Sequence, residues 1–283
     1  MFAPMAQKKR KNKVNGVPMA RLADKYTLYL DSVQSPDHEA QFFNRAYKKA
    51  FDRAPLILRE DFCGTAAVCC EWVKNKPERR ALGVDLDAEP LAWGRENNLT
   101  SLRERDRERI TLLEADVRDI RGPKADVVAA QNFSFYCFKT REELRRYFRC
   151  AYRNMAREGV LVLDMLGGQE TMEEDHEEIK KMKGYDYVFE QEWFDPITNN
   201  CRFWIHFRFP DGSEMKRVFG YEWRLWSIPE VRELLSEAGF AESLVYWEDT
   251  EKDTGEGSGT YRIRKKAESD PTWVAYIVAR KQP

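Results

Sequence analysis

The sequence predicts a doubly wound α/β fold: a seven-stranded, mainly parallel sheet with an antiparallel β insertion late in the chain. Three observations predict it. Short, nearly all-apolar runs alternate with helical segments up to residue 168, which is how strands of a parallel sheet covered on both faces read. Between residues 185 and 222 the runs become short and alternating, and Asp195-Pro196 and Pro210-Asp211-Gly212 punctuate them as turns. From Trp223 the chain returns to one helix and two strands. A chain of 283 residues buries roughly three quarters of its unfolded surface without disulfide or metal. Residues 21–283 are expected to form a single domain, with its core in 40–168 and 223–283 and the insertion at 185–222.

Residues 1–20 read as a disordered basic tail, because Lys8, Lys9, Arg10, Lys11 and Lys13 lie there without an acid. Order is expected from Leu22. Ser35 and Pro36 suit the N-cap and first position of a helix. Phe42, Phe43, Ala46, Tyr47 and Phe51 then recur at helical spacing. Strands follow at 56–62, 81–86, 110–113, 125–130 and 160–165. Helices lie between them at 66–74, 90–98 and 140–156, the last opened by a capping box of Thr140 and Glu143. Residues 173–178, nearly all charged, read as a solvated helix. In the insertion, 187–189, 192–194, 202–209 and 216–219 give three or four strands. Ser227 and Glu230 form a second capping box, whose helix stops at Gly239. Strands at 241–247 and 273–280 close the sheet. The acidic, Gly-rich 248–259 and basic 262–266 lie between them.

Charge and composition exclude several functions. There are 47 basic and 48 acidic residues; with five basic ones in the tail, the rest holds 42 against 48. An acidic body is a poor partner for nucleic acid. The longest uncharged run, 127–138, is too short for the ~20 residues of a membrane span. No apolar run follows the basic tail, so no secretory signal is expected. Six Cys without CxxC spacing read as reduced thiols of a cytoplasmic protein. There is no GxGxxG and no GxSxG, which sets aside nicotinamide dehydrogenases and serine hydrolases.

Polar residues gather at four successive strand ends. Gly64 lies in the turn that opens the first crossover helix, where backbone N–H groups approach a ligand. Asp85 lies 21 residues on, the spacing at which a carboxylate accepts ribose hydroxyl protons. Asp116 follows the third strand, and Gln131 and Asn132 end the fourth. Asp85 and Asp116 are equally suited to capping the helices that follow. Cys63 reads as a small packing residue. Arg59 and Asp61, unusual inside a strand, form an internal ion pair or widen a pocket.

On these residues the chain resembles the class I S-adenosylmethionine-dependent methyltransferases, and in particular their small-molecule branch that methylates sugar amines and glycine. The matching positions are Glu60, the loop Cys63-Gly64-Thr65-Ala66, Asp85, Asp116 and the turn at Arg157-Glu158-Gly159. The run 223–240 resembles the stretch after the inserted strands in that branch. The loop departs from the family at Phe62 and Ala66, which stand where its first and third Gly usually lie. The resemblance implies a Rossmann-like fold, S-adenosylmethionine as cofactor, and no metal. It implies that Glu60 faces the methionine amino group. Cys63, Gly64 and Thr65 would lie against the methionyl part, Asp85 and Leu86 at the ribose, Asp116 and Val117 at the adenine, and Gln131 or Asn132 beside the sulfonium.

The acceptor is expected to be a small molecule methylated on N or O, in a pocket drawn from Tyr29, Phe135, Tyr136, Tyr221 and Arg224. Asn132, His206 and Tyr26 are the candidate catalytic groups. Asn132 to Phe135 has the spacing, without the prolines, of the Asn-x-x-aromatic motif of amine-directed nucleic-acid methyltransferases. His206 points either into the site or outward. A homodimer is compatible with this reading, and no membrane or nucleic-acid partner is expected. The alternatives are an RNA or protein methyltransferase and a non-catalytic cofactor-binding subunit.

Overall fold

The computed structural model describes residues 16–250 and 257–281; Lys8 to Lys13 of the basic tail lie outside them. Five parallel strands carry the sheet: β1 (Ile57–Asp61), β2 (Arg80–Asp85), β3 (Ile110–Glu114), β4 (Ala125–Ala130) and β5 (Met155–Gly167). They lie in the order β3-β2-β1-β4-β5. The chain therefore reverses its direction of travel across the sheet between β1 and β4. A crevice opens at such a switch point, outside the carboxyl ends of the strands. β12 (Trp273–Arg280) pairs antiparallel with β5, and β10 (Glu242–Thr250) with β12.

Helices cover both faces. α3 (Pro36–Phe51), α4 (Ala67–Lys74) and α5 (Ala88–Gly94) bury one face, where Phe43, Tyr47, Val68 and Trp72 are wholly enclosed. α7 (Arg141–Asn154) and α8 (Ile228–Ala238) bury the other through Tyr147, Phe148, Leu234 and Leu235. Both expected capping boxes form, Thr140 with Glu143 and Ser227 with Glu230, and Gly239 ends α8 in the left-handed conformation. A short α6 (Glu104–Arg107) precedes β3.

The insertion is a separate antiparallel sheet: β6 (His176–Met182), β7 (Tyr185–Asp195), β8 (Asn200–Arg208) and β9 (Glu214–Arg224). Its apolar face meets α2 (Lys25–Ser32) and the turn α1 (Met19–Leu22) around Tyr185, Ile205 and Phe207. Tyr185 also donates its hydroxyl to Asp31 Oδ2 at 2.7 Å. The insertion and the N-terminal helices thus form one cover.

Four expectations need correction. Order begins before Leu22, since the Met19 and Ala20 N–H groups donate to Asp211 and Ser213 of the insertion. The charged stretch at 173–178 contains no helix; from His176 it is β6, and charge on an edge strand blunts edge-to-edge association as it solvates a helix. The runs at 187–189 and 192–194 are one strand with a register shift at Gln191/Trp193. An eighth strand, β11 (Gly257–Ile263), extends the main sheet beyond β10. Its Gly and Ser carry little strand propensity, and Tyr261 secures it edge-on against Tyr276 at 4.6 Å.

Candidate active site

The loop after β1 carries three left-handed residues, Phe62 (φ 59°), Gly64 (φ 51°) and Ala66 (φ 58°). Phe62 and Ala66 therefore keep the backbone that glycine adopts freely, at roughly 1–2 kcal/mol each. Packing holds them there. The Phe62 ring lies 5.9 Å from both Phe138 and Tyr147, and Ala66 is wholly enclosed at the N-cap of α4. A Cβ placed on Gly64 would meet nothing within 4 Å, so the loop presents open backbone to the crevice.

Asp85 ends β2 and fixes this loop. Its Oδ2 accepts the Gly64 N–H at 2.7 Å and its Oδ1 the Asp87 N–H at 2.9 Å. Asp87, not Asp85, caps α5. Burial raises the Asp85 carboxyl, against the two N–H groups that favour its charge. Beside it Leu86 is 72% exposed, an apolar surface at the mouth of the crevice. Glu60 is buried one strand away, where its Oε2 accepts the Cys69 N–H in the first turn of α4 at 2.9 Å. Burial pushes it up to about 7.

Two hydrogen-bonding atoms of the crevice, Thr65 Oγ1 and Gln131 Oε1, are buried without a partner among the described residues. Such atoms cost about 1–3 kcal/mol each when nothing satisfies them. With the open Gly64 backbone and two carboxylates, they fit a ligand bearing hydroxyl and ammonium donors. Cys63 packs in the core beneath the loop, and burial raises its thiol, which agrees with a packing role.

Asp116 is engaged by Arg118, whose Nη2 donates at 2.6 Å and whose N–H donates to Oδ1 at 2.8 Å. That pairing holds its carboxyl below the usual range. Val117 departs from expectation: its side chain is 4% exposed and lies in the core.

Asn132 and Phe133 are consecutive left-handed residues, both at φ 56°. Asp164, three residues before the end of β5, makes this turn possible: its Oδ2 accepts the Asn132 N–H at 2.7 Å and its Oδ1 the Phe133 N–H at 2.9 Å. The turn sends Phe135 and Tyr136 into the core rather than a pocket, with the Tyr136 hydroxyl donating to the Leu166 carbonyl at 2.8 Å. Phe133 remains half-buried, edge-on to Trp223 at 6.0 Å.

The cover brings Tyr26, Tyr29 and Tyr221 over the crevice. Tyr26 bridges Trp93 of α5 at 5.5 Å and Phe219 of β9 at 5.9 Å. Tyr29 lies 5.0 Å from Phe219, and its hydroxyl neighbours that of Tyr221. Burial raises all three hydroxyls, so at neutral pH they are protonated. His206 is not a crevice group. It is wholly buried within the insertion, its Nε2 paired with Glu190 at 2.6 Å and its Nδ1 accepting the Arg217 N–H at 3.1 Å. That N–H belongs to a bulge in which Arg217 has φ 53°, so His206 satisfies a donor the ladder leaves over. Arg224 is a strut: it donates to the Lys139 carbonyl and Glu230, and stacks on Trp226 at 3.9 Å.

Sequence reasoning missed Asp164, Glu39 and Gly94. A Cβ on Gly94 would lie 2.3 Å from the Thr65 carbonyl oxygen, so α5 presses directly on the loop. Gly94→Ala is expected to cost about 1–3 kcal/mol through overpacking, read by urea denaturation. A cavity of about 910 Å³ lies elsewhere, between α8 and β10, and shares no residue with this crevice. Among the described residues no group of His, Cys, Asp and Glu is arranged to hold a metal ion, and no helix is long and apolar enough to cross a membrane.

Comparison with known proteins bears on this crevice. Residues 61–163 match the family described as "Methyltransferase domain". No curated protein matches the sequence. A solved S-adenosylmethionine-dependent methyltransferase from Clostridium acetobutylicum is 14% identical with a TM-score of 0.66, covering 91% of this chain and 98% of that one. CalS10, an amino pentose methyltransferase from Micromonospora echinaspora solved with S-adenosylmethionine bound, is 17% identical with a TM-score of 0.63, covering 91% and 96%. The sugar N-methyltransferase KedS8 from Streptoalloteichus is 19% identical with a TM-score of 0.60, covering 99% and 100%. At these identities the likeness is one of fold, and it runs the length of the chain, insertion included.

Proposed function

We propose that this chain, with its methyltransferase domain at residues 61–163, is an S-adenosylmethionine-dependent methyltransferase acting on a small-molecule acceptor. One observation carries the proposal. At the switch point of the sheet, the left-handed loop around Gly64 is clamped to Asp85 at 2.7 Å, with open backbone facing out. When bound, S-adenosylmethionine supplies a methyl group already activated by its positive sulfur.

The protein's part is placement. Asp85 accepts ribose hydroxyl protons on the lone pairs its two N–H donors leave free. Glu60 faces the methionyl ammonium, and the Gly64 backbone and Thr65 Oγ1 receive the rest of that group. Leu86 offers its exposed side chain to the flat base, with Asp116 and the Val117 backbone at its rim. Gln131 Oε1 closes the side nearest the reacting centre. The cover of α2 and the insertion excludes water and holds the acceptor in line with the methyl carbon.

An amine suits this site better than a hydroxyl. A hydroxyl acceptor needs a general base. Of the three histidines, His206 is committed inside the insertion, His176 lies on the edge strand beside Glu173 at 3.2 Å and His38 sits beside the Tyr261 ring at 6.1 Å. That leaves buried carboxyls as bases, which suit the proton of an ammonium better than that of an alcohol. The structural relatives include an amino pentose methyltransferase and a sugar N-methyltransferase. We place the activity in the cytoplasm, where the six free cysteines stay reduced.

Asp85→Ala is expected to weaken S-adenosylhomocysteine binding by about 2 kcal/mol, roughly 30-fold, through lost hydrogen bonds to the ribose and a slackened loop. Titration calorimetry checks it. An unchanged affinity in this variant would place the cofactor elsewhere.

A further inference from the structure

A further buried acid lies on α3, the helix that follows α2 of the cover. Glu39, in the first turn of α3, is 6% exposed. Its Oε1 receives only a long bond from the Ser35 N–H at 3.4 Å, and its Oε2 has no partner among the described residues. Glu60 and Asp164 are the like charges that chiefly disfavour its ionisation, after burial itself, and both are themselves buried. Their oxygens are partly satisfied by backbone N–H groups, Cys69 for Glu60 and Asn132 and Phe133 for Asp164. Among the described residues none of the three carboxyls is paired with a Lys or Arg.

Glu60 and Asp164, both buried, oppose the ionisation of Glu39. The protein holds a site short of positive charge, and burying that imbalance is costly unless a ligand supplies the cation. The carboxyls do not converge closely enough to hold a metal ion, which leaves room for a molecular one. Tyrosines lie near these acids. Tyr29 and Tyr276 lie near enough for Glu39 and Asp164 to disfavour their ionisation, and Tyr261 for Asp164 to do so. Tyrosine rings and hydroxyls suit an ammonium group.

Building on the methyltransferase function proposed above, which assigns the donor's ammonium to Glu60, we propose that Glu39, supported by Asp164, holds the acceptor amine as its ammonium form and takes its proton. In that step an N–H bond of the ammonium breaks and an O–H bond forms on Glu39, which leaves a neutral amine. The nitrogen lone pair then forms the N–C bond as the C–S bond breaks, its electron pair remaining on the now neutral sulfur. The methylated product leaves as a cation, and Glu39 returns its proton to solvent.

Calorimetry on the protein loaded with S-adenosylhomocysteine tests this, with cyclohexylamine as the probe and cyclohexanol as its neutral counterpart. We expect the amine to bind at least tenfold more tightly than the alcohol. Glu39→Gln, close to isosteric, is expected to weaken the amine at least tenfold while changing S-adenosylhomocysteine affinity less than twofold; Glu39→Asp should restore part of the preference. Equal binding of amine and alcohol would overturn the proposal, as would an unchanged amine affinity in Glu39→Gln. If that variant instead weakened S-adenosylhomocysteine and spared the amine, Glu39 would hold the donor's ammonium, which overturns the acceptor role. Failure of S-adenosylhomocysteine to bind the unaltered protein would overturn the methyltransferase function itself, and this inference with it.

Discussion

Arg59→Met is expected to remove about 3–5 kcal/mol of folding stability, the usual cost of taking one partner from a buried ion pair. Arg59 and Asp61 are both wholly enclosed in β1, yet they are joined Nε to Oδ1 at 2.6 Å. Arg59 Nη2 donates to the Val117 carbonyl at 2.8 Å, and Tyr147 of α7 donates its hydroxyl to Asp61 Oδ2 at 3.0 Å. Strand alternation explains the arrangement. Arg59 and Asp61 point to the α7 face, while Glu60 between them points to α4. The pair therefore ties the underside of the cofactor strand to α7 and to the segment after β3, and does not widen a pocket. Removing the guanidinium leaves Asp61 buried with a single donor. Replacing both residues, Arg59→Met with Asp61→Leu, should recover most of the loss, because apolar substitutes for a buried pair are often near neutral. Urea denaturation of the single and double variants measures both. A single-variant loss under about 1 kcal/mol would mean that the site relaxes or admits water.

That ion pair shows where the sequence was legible. Arg59 and Asp61 stand out in an apolar strand, and an internal pair was one of two ways to accommodate them; only packing decides between the two. The helix starts were plainer. Thr140 with Glu143 and Ser227 with Glu230 carry their own hydrogen-bonding logic, and both boxes form. Asp85 stands out by its distance from Gly64, and the structure joins the two by a hydrogen bond and gives the capping role to Asp87.

Other features depend on contacts distant in sequence. Asp164 is the lone acid in the buried run 159–166 of β5, a visible signal, but its task is to hold the turn at Asn132 and Phe133 across a strand boundary. Glu39 sits in a polar first turn, Pro-Asp-His-Glu, that reads as solvent-facing; tertiary packing encloses it. His206 was undecided between inside and outside because alternation leaves both faces of an inserted strand open. The bulge at Arg217 decides it by presenting an N–H to be satisfied. β6 and β11 were missed because charge and glycine mask strand periodicity, and each is held by its neighbour strand rather than by its own propensity.

The second large effect is on pH. The ligand-free protein is expected to lose on the order of 4 kcal/mol of stability between about pH 5 and pH 8. Burial pushes Glu39 up from 4.5 to about 8, Glu60 to about 7, and Asp164 from 3.8 to about 7. Each stays protonated in the folded state at pH values where the unfolded chain has already ionised. A group raised on folding contributes stability that is complete below its unfolded value and is lost as pH climbs to its folded value. One carboxyl moved as far as Glu39 carries about the quoted amount; Glu60 and Asp164 oppose its ionisation, so the contributions of the three are not a simple sum. The groups facing Glu39 are Glu60, Asp164, Asp37, Tyr29 and Tyr276. None is a base whose titration would offset the loss. Carboxyls lowered on folding, such as Asp116 beside Arg118, act below this window, where their contribution disappears only as pH falls. A cationic ligand reverses the trend by stabilising the ionised carboxyls, so the thermal shift produced by S-adenosylmethionine should grow from pH 6 to pH 8. Differential scanning fluorimetry across that range, with and without the cofactor, measures both slopes. Glu39→Gln should flatten the ligand-free slope, because its amide does not ionise. A ligand-free melting temperature that rises through pH 6–8 would mean that the three carboxyls are hydrated rather than enclosed.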